Sequence, residues 1–544
     1  MSADGQLQEK GLRSSEQYTR ALAGAPFGGL QDSMRLHWLD QTILALYALA
    51  VLAMGFYFAR RNRDTEEYFL GGRSFSGWII GLSMVGTAIS SITFLSMPAD
   101  AFKTTWVRFL PYVCMPLAAL LAGWWIVPFF RRGRTTSAYE YLEARFGPSV
   151  RIYGATTYVL AQILRISLVL YLVALMLHEL TGLEVTTCIV AAGLFVAFYT
   201  VLGGIDAVIW TDVVQTIVLV SGSLLCLAII ILELPGGLPQ IFEIAAEHQK
   251  FSFGSFIDGE HVPLGWGFDL GSKTAPLMLL MSASFFLTEY TTAQHFVQRY
   301  CAARSLREAR KSLAWAAAVA MPTWLFYMFL GTAFFALFTV FPDTEATAML
   351  EGSKRAEQIV PYFVLHYLPV GIAGLVIAAA LAAGMSSLDS SINAISTVVI
   401  VDVYRRHLAP GRDDRHYLRV AWGIAGIASL AMIGGATLLL YAEGKTLQDI
   451  SIKLTSLLGG GVLAIYLLGF GTRVGDARAV WAGVFCTLTF TLWTMGLFPQ
   501  AWTVPFDTYY TAAIGNLVMF VVGFSLAALL PKRPRDLTGL TFWG

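Results

Sequence analysis

The run AALAAGMSSLDSSINA, residues 379–394, places a carboxylate (Asp389), four hydroxyls (Ser386, Ser387, Ser390, Ser391) and an amide (Asn393) inside a long apolar segment. Oxygens of this kind are what hard cations such as Na⁺ take as ligands. Ser386 and Ser387 are adjacent and point about 100° apart on a helix, so they can flank one ion held against a neighbouring helix. Ala383, three residues earlier, offers its carbonyl if an ion or a serine disturbs the helical ladder. Asp389 and Ser390 follow one turn later and form a second oxygen cluster. Serines alone also back-bond to carbonyls one turn earlier, a reading that leaves the aspartate unexplained.

Three other stretches carry polar groups where hydrocarbon is expected, and ionisable groups at such depth mark pathways or helix contacts. GLSMVGTAISSITFLSMP (81–98) holds Gly86, Thr87, Ser90, Ser91 and Thr93 in one span. Small and β-branched residues weaken a helix there, and a broken helix frees carbonyls for a cation. Gly77 and Gly81, four apart, equally suit close helix packing. ASFFLTEYTTAQHFVQ (283–298) interrupts a later apolar segment with Thr288, Glu289, Thr291, Thr292 and Gln294. Arg165, in LAQILRISLVLYLVAL, lies about 13 residues into a span, beyond easy snorkelling. Gln162 shares its face. Such a guanidinium needs a carboxylate, from the protein or from a ligand, and arginine matches one with a bidentate fork. Asp212, in GGIDAVIWTDVVQ, is a partner for the cluster at 379–394, although a helix's first turn also favours an acid.

The elements that must position these groups follow from hydropathy. The chain has 544 residues, 56% hydrophobic and 13% charged, against about 25% charged in soluble domains. Thirteen segments are long enough to cross a bilayer: 37–59, 78–97, 108–130, 152–182, 186–204, 208–233, 275–297, 313–341, 369–404, 418–441, 446–471, 478–498 and 511–530. The break between the fifth and sixth rests on LGGIDA. Residues 346–368 read as an outer amphipathic helix. The fold expected is all-α and polytopic, with a polar tail (1–36) outside, a first uncleaved helix and a cytoplasmic tail (531–544). Inner connections under this scheme hold 24 of 37 Lys and Arg, which predicts the N-terminus outside and the C-terminus inside. Polar interruptions in the second and seventh segments, each opening a block of helices (78–233 and 275–471), point to an inverted-repeat transporter.

The net charge of +1 gives no reason to expect nucleic acid. The five cysteines form no Cys-x-x-Cys, and the eight histidines, read as lying mostly at span ends and in loops, show no paired metal spacing; no phosphate loop or nucleophile elbow is present, so an enzyme is not expected.

AALAAGMSSLDSSINAISTVVIVDVY resembles the ninth-helix signature of the sodium/solute symporter family. EEYFLGGRS, TSAYEYLEARFG and YTVLGGIDAVIWTDVVQ are similar to its other signatures, in order from about residue 60 to about 500. The resemblance implies a LeuT-like five-plus-five inverted-repeat core with one extra helix before it (37–59) and two after it (478–530). It implies Na⁺ as coupling ion, held by the carbonyls of Gly86, Ile89 and Ala383 and the hydroxyls of Ser386 and Ser387. A second sodium site, present in some members, would fall on Asp212, Asp389 and Ser390; many members carry Ser or Thr at the position of Asp389. Phe286 stands where the family's sugar transporters carry Asn, which disfavours galactose or glucose. QILRISLVLYL looks like the matching helix of bacterial sialic acid symporters, where an arginine holds the substrate carboxylate. By that resemblance Arg165 binds an acid group, with Ser90, Thr93 and Gln162 in the same cavity and Tyr112 and Arg108 at its outer side. The expected protein is a sodium-coupled symporter in the bacterial inner membrane, importing a small anionic solute such as sialic acid and needing no obligate protein partner. A neutral-sugar symporter and a transporter-like sensor are the alternatives; the chain stops soon after PKRPRDLTGLTFWG and leaves no room for a kinase-sized signalling domain.

Overall fold

In hydrocarbon a backbone must satisfy its own polar groups, and a helix does so within one segment. The computed structural model obeys this almost throughout. It describes residues 36–61, 63–132, 135–257, 260–441, 459–498, 503–531 and 536–543. The principal helices are α1 (Trp38–Ala59), α2 (Gly77–Ala88), α3 (Ser91–Lys103), α4 (Trp106–Arg132), α5 (Pro148–Thr181), α6 (Val185–Glu233), α7 (Ala275–Thr292), α8 (Gln294–Cys301), α9 (Leu306–Val340), α10 (Ile372–Leu408), α11 (Asp414–Leu439), α12 (Val462–Gly471), α13 (Ala477–Thr494) and α14 (Thr508–Leu529). Among the described residues, eight helices are long and apolar enough to cross a membrane, or nine when the bent pair α2 and α3 counts as one span.

That number is smaller than the thirteen expected, for physical reasons. α6 has 49 residues, about 74 Å of helix against a hydrocarbon core of about 30 Å. It carries a non-helical Gly204 (φ 63°, ψ −165°), a conformation glycine adopts readily, so the fifth and sixth segments part within LGGIDA as expected. The seventh segment is divided into α7 and α8 at Ala293 (φ −80°, ψ 111°). The eleventh begins outside the described residues and is represented by α12; most of the N-terminal tail also lies outside them. The expected helix over 346–368 is two short ones, Thr344–Glu351 and Ile359–Tyr367. Gly352, left-handed at φ 90°, terminates the first of them.

Two packing features place the site. α10 is buried over most of its length, and its alanines and glycine admit close neighbours: a Cβ on Gly222 of α6 would sit 2.7 Å from Ala379 Cβ, and one on Gly384 2.3 Å from Val173 of α5. The broken helix α2–α3, bent by 59°, lies against α9. A Cβ on Gly77 would meet Glu308 O at 2.6 Å, and one on Gly81 Trp315 Cβ at 2.5 Å, so this glycine pair serves helix packing. Gly331 of α9 is tighter still, since its Cβ would lie 2.1 Å from Pro98 O. That neighbour is backbone and cannot swing away. Gly331→Ala is therefore expected to cost about 1–3 kcal/mol, read as a lower melting temperature of the detergent-purified protein; an unchanged melting temperature would refute this contact. The C-terminal half of the broken helix is capped from the segment that follows α6. Buried Lys250 donates to Phe102 O (2.7 Å) and Thr104 O (3.0 Å), the carbonyls a helix end leaves unpaired.

Three arginines of the expected inner connections are not surface charges. Arg299 is 0%, Arg145 1% and Arg151 8% exposed, and each spends its donors on the protein. Arg145 donates to the carbonyls of Gly469, Thr472, Val474 and Gly475. Arg151 pairs with Asp402 and Glu143, both at 2.6 Å, and ties the start of α5 to the end of α10.

Candidate functional site

α2 stops where hydroxyls compete for its carbonyls. Thr87 Oγ1 back-bonds to Ser83 O at 3.0 Å. Ile89, fully buried, turns extended (φ −92°, ψ 96°), and Ser90 opens α3 with no side-chain cap. The last carbonyls of α2 thus have no partner in their own helix. α10 lies against this end. Ser387 Oγ donates to Thr87 O at 3.1 Å. A Cβ on Gly86 would come within 3.0 Å of Ser386 Oγ and 2.7 Å of Thr216 Oγ1. Ala383 is buried on α10, one turn before these serines. The fold therefore brings Ser386 and Ser387 to the break at 86–90, and the neutral carbonyl and hydroxyl oxygens gathered there suit a monovalent hard cation.

The second set, Asp212, Asp389 and Ser390, also converges, but around a residue not anticipated. Arg299 of α8 donates through Nη2 to Asp212 Oδ2 (2.6 Å) and Ser390 Oγ (2.5 Å), through Nε to Ser83 Oγ (2.8 Å) and through Nη1 to His295 O (2.7 Å). Asp212 also accepts from Ser83 (2.6 Å) and from Ser386. Asp389 accepts from Tyr199 (3.1 Å), Thr211 (3.4 Å) and Ser390 (3.3 Å), so Ser390 links it to Arg299.

Between α3, α5, α7 and α11 lies a cavity of about 550 Å³, whose wall includes Ser90, Thr93, Tyr112, Gln162, Arg165 and Phe286. Six of the seven residues expected at the substrate site thus share one space. Arg108 does not line it and pairs with Asp100 at 3.0 Å. Tyr112, Phe286 and Trp324 form an aromatic wall, with the Tyr112 and Trp324 rings 4.2 Å apart and Phe286 5.9 Å from Trp324. Arg165 has no carboxylate at ion-pair distance among the described residues; its Nη1 lies 3.3 Å from His295 Nε2. Gln162 accepts from Ser391 at 3.0 Å, and Ser391 donates also to Ser387 O at 2.9 Å, so a hydrogen-bonded chain joins the cavity wall to the serine pair.

Sequence reasoning missed Arg299 and His295. The histidines are expected mostly at span ends and in loops, and His295 is fully buried beside the break at Ala293. The signal was there: both residues follow the polar interruption at 288–294 within seven positions.

The arrangement is that of a membrane transporter: two broken helices, a chamber between them, and oxygens collected at one break. Comparison with known proteins agrees. The profile of the sodium:solute symporter family matches residues 68–485, and the chain belongs to that family. It is 30% identical over 496 residues to the sodium/sialic acid symporter NanT of Aliivibrio fischeri, covering 91% of this chain and 94% of that one. It is also 30% identical to the human sodium/iodide cotransporter, over 84% of this chain and 69% of the other. A solved structure of a substrate-bound, outward-open Na⁺-coupled sialic acid symporter superposes with a TM-score of 0.82 at 27% identity, covering 92% of this chain and 99% of that chain.

Proposed function

We propose that the protein imports a small carboxylate-bearing solute together with sodium, with its N-terminus outside and C-terminus inside. In this reading thirteen spans comprise a lone first helix (37–59), two inverted repeats (78–233 and 275–471) and two terminal helices (478–530). The observation that carries the reading is Arg165: a guanidinium on the wall of a solute-sized cavity with no protein carboxylate at ion-pair distance among the described residues. A ligand carboxylate completes it. The names of the sialic acid symporters support N-acetylneuraminate as the first acid to test.

Sodium is placed between the carbonyls of Gly86, Ile89 and Ala383 and the hydroxyls of Ser386 and Ser387. An ion there ties α10 to the break of α2–α3, and residues 90 and 93 of that same stretch line the cavity. Ion and solute then favour one arrangement, and the coupling is reciprocal. At the second set we assign the positive charge to Arg299 rather than to a second ion, because two of its three oxygen-bearing side chains already accept from that guanidinium. Each sodium carried inward gains roughly 2.3 kcal/mol per 100 mV.

Ser387→Ala tests the sodium assignment. It is expected to raise the half-saturating sodium concentration for uptake into proteoliposomes by roughly 10–100-fold, the loss typical of a weakened metal shell. An unchanged sodium dependence would remove Ser387 from the site.

A further inference from the structure

The geometry points to a zwitterion, a carboxylate solute that also carries a cationic nitrogen, as the substrate class of this cavity, with Glu289 as the residue that selects it. The inference rests on the reading of Arg165 as the carboxylate holder. Glu289, on α7, lines the same cavity and meets the same imidazole nitrogen as Arg165. His295 Nε2 is 3.4 Å from Glu289 Oε2 and 3.3 Å from Arg165 Nη1. One nitrogen can serve only one of them: as N–H it donates to the carboxylate, and bare it accepts from the guanidinium.

The other ring nitrogen decides which. Tyr158 Oη accepts the backbone N–H of His295 (3.1 Å) and lies 3.0 Å from His295 Nδ1. The phenol has one proton, and Nδ1 is the only acceptor it meets among the described residues. Nδ1 is therefore the bare nitrogen, and Nε2 carries the proton and donates to Glu289. Arg165 is then left without a hydrogen-bond acceptor among the described residues, and Glu289 keeps an oxygen with no donor among them. A full positive and a full negative charge face one chamber, both beside a single imidazole nitrogen.

A plain monoanion pairing with Arg165 would bring its carboxylate up to Glu289, and like charges placed together disfavour a ligand. Neutral hydroxyls satisfy the hydrogen bonding of Glu289 without offsetting its charge. An ammonium group does both. The aromatic wall of Tyr112, Phe286 and Trp324 also attracts cations through its ring faces.

The test uses shape-matched pairs that differ in charge, on the full-length purified protein in sodium: proline against cyclopentanecarboxylate, and glycine betaine against its carbon isostere tert-butylacetate, each read by thermal stabilisation. In the wild type the zwitterion of at least one pair is expected to act at about tenfold lower concentration than its monoanion, and Glu289→Gln is expected to bring the two within about twofold. Equal action of both members in the wild type, an unchanged ratio in Glu289→Gln, or stabilisation by neither zwitterion would overturn the inference. Arg165→Ala reports separately on the underlying reading: if it leaves stabilisation by both members of a pair intact, the carboxylate assignment fails, whatever the ratio in Glu289→Gln.

Discussion

Arg165→Ala is expected to lower the transport efficiency, kcat/KM, for the native solute on the order of 10²- to 10³-fold, as when one partner of a buried, hydrogen-bonded charge pair is truncated at about 2–5 kcal/mol. The effect is this large because Arg165 is the one cationic side chain among the described residues lining the chamber, so a solute carboxylate that loses its guanidinium is left with neutral donors only. Arg165→Lys keeps the charge and loses the planar fork, so it should recover only part of the activity. Sodium binding should respond differently. The expected sodium oxygens lie on α2, at the break after it and on α10, and Arg165 hydrogen-bonds to none of them among the described residues; stabilisation by sodium alone should therefore survive in Arg165→Ala. Uptake kinetics and sodium-dependent melting, measured on the same preparation, check both halves.

Arg299→Ala is expected to destabilise the protein by about 3–5 kcal/mol, the cost of leaving a buried charge without its partner. Asp212 would keep hydroxyl contacts from Ser83 and Ser386, but the only guanidinium that meets it among the described residues would be gone. Total stabilities are commonly about 5–15 kcal/mol, so the single variant should melt far below the wild type or fail to accumulate. Adding Asp212→Asn should restore part of the loss, because the unpaired charge is removed with its partner. Strictly additive melting shifts in the double variant would show that the two residues do not act as a pair.

These two arginines also mark what a sequence can disclose. Arg165 was legible because it stands alone in an apolar segment, where charge is costly enough to demand a reason. The serine pair was legible for the same reason, and the break at LGGIDA because glycine alone readily adopts the backbone found at Gly204. Arg299 was hidden by its neighbours. It sits in QHFVQRYC, close to Arg304, Arg307 and Arg310, and so counts as one more inner-loop charge. Only the turn at Ala293 folds that short helix inward and carries the guanidinium to Asp212. Asp212, expected at a possible second sodium site, meets a positive charge supplied by the chain itself. The helix expected over 346–368 failed for a local reason, a left-handed Gly352 that hydropathy does not register.

The most direct measurement is the influx of radioactive sodium into proteoliposomes bearing the wild type or Arg165→Ala, with external N-acetylneuraminate, proline, glycine betaine or galactose in turn. One or more of the carboxylate-bearing solutes should stimulate sodium entry in the wild type and none in Arg165→Ala, while galactose should stimulate neither. Sodium entry driven by galactose, or carboxylate-driven entry that persists without Arg165, would contradict it.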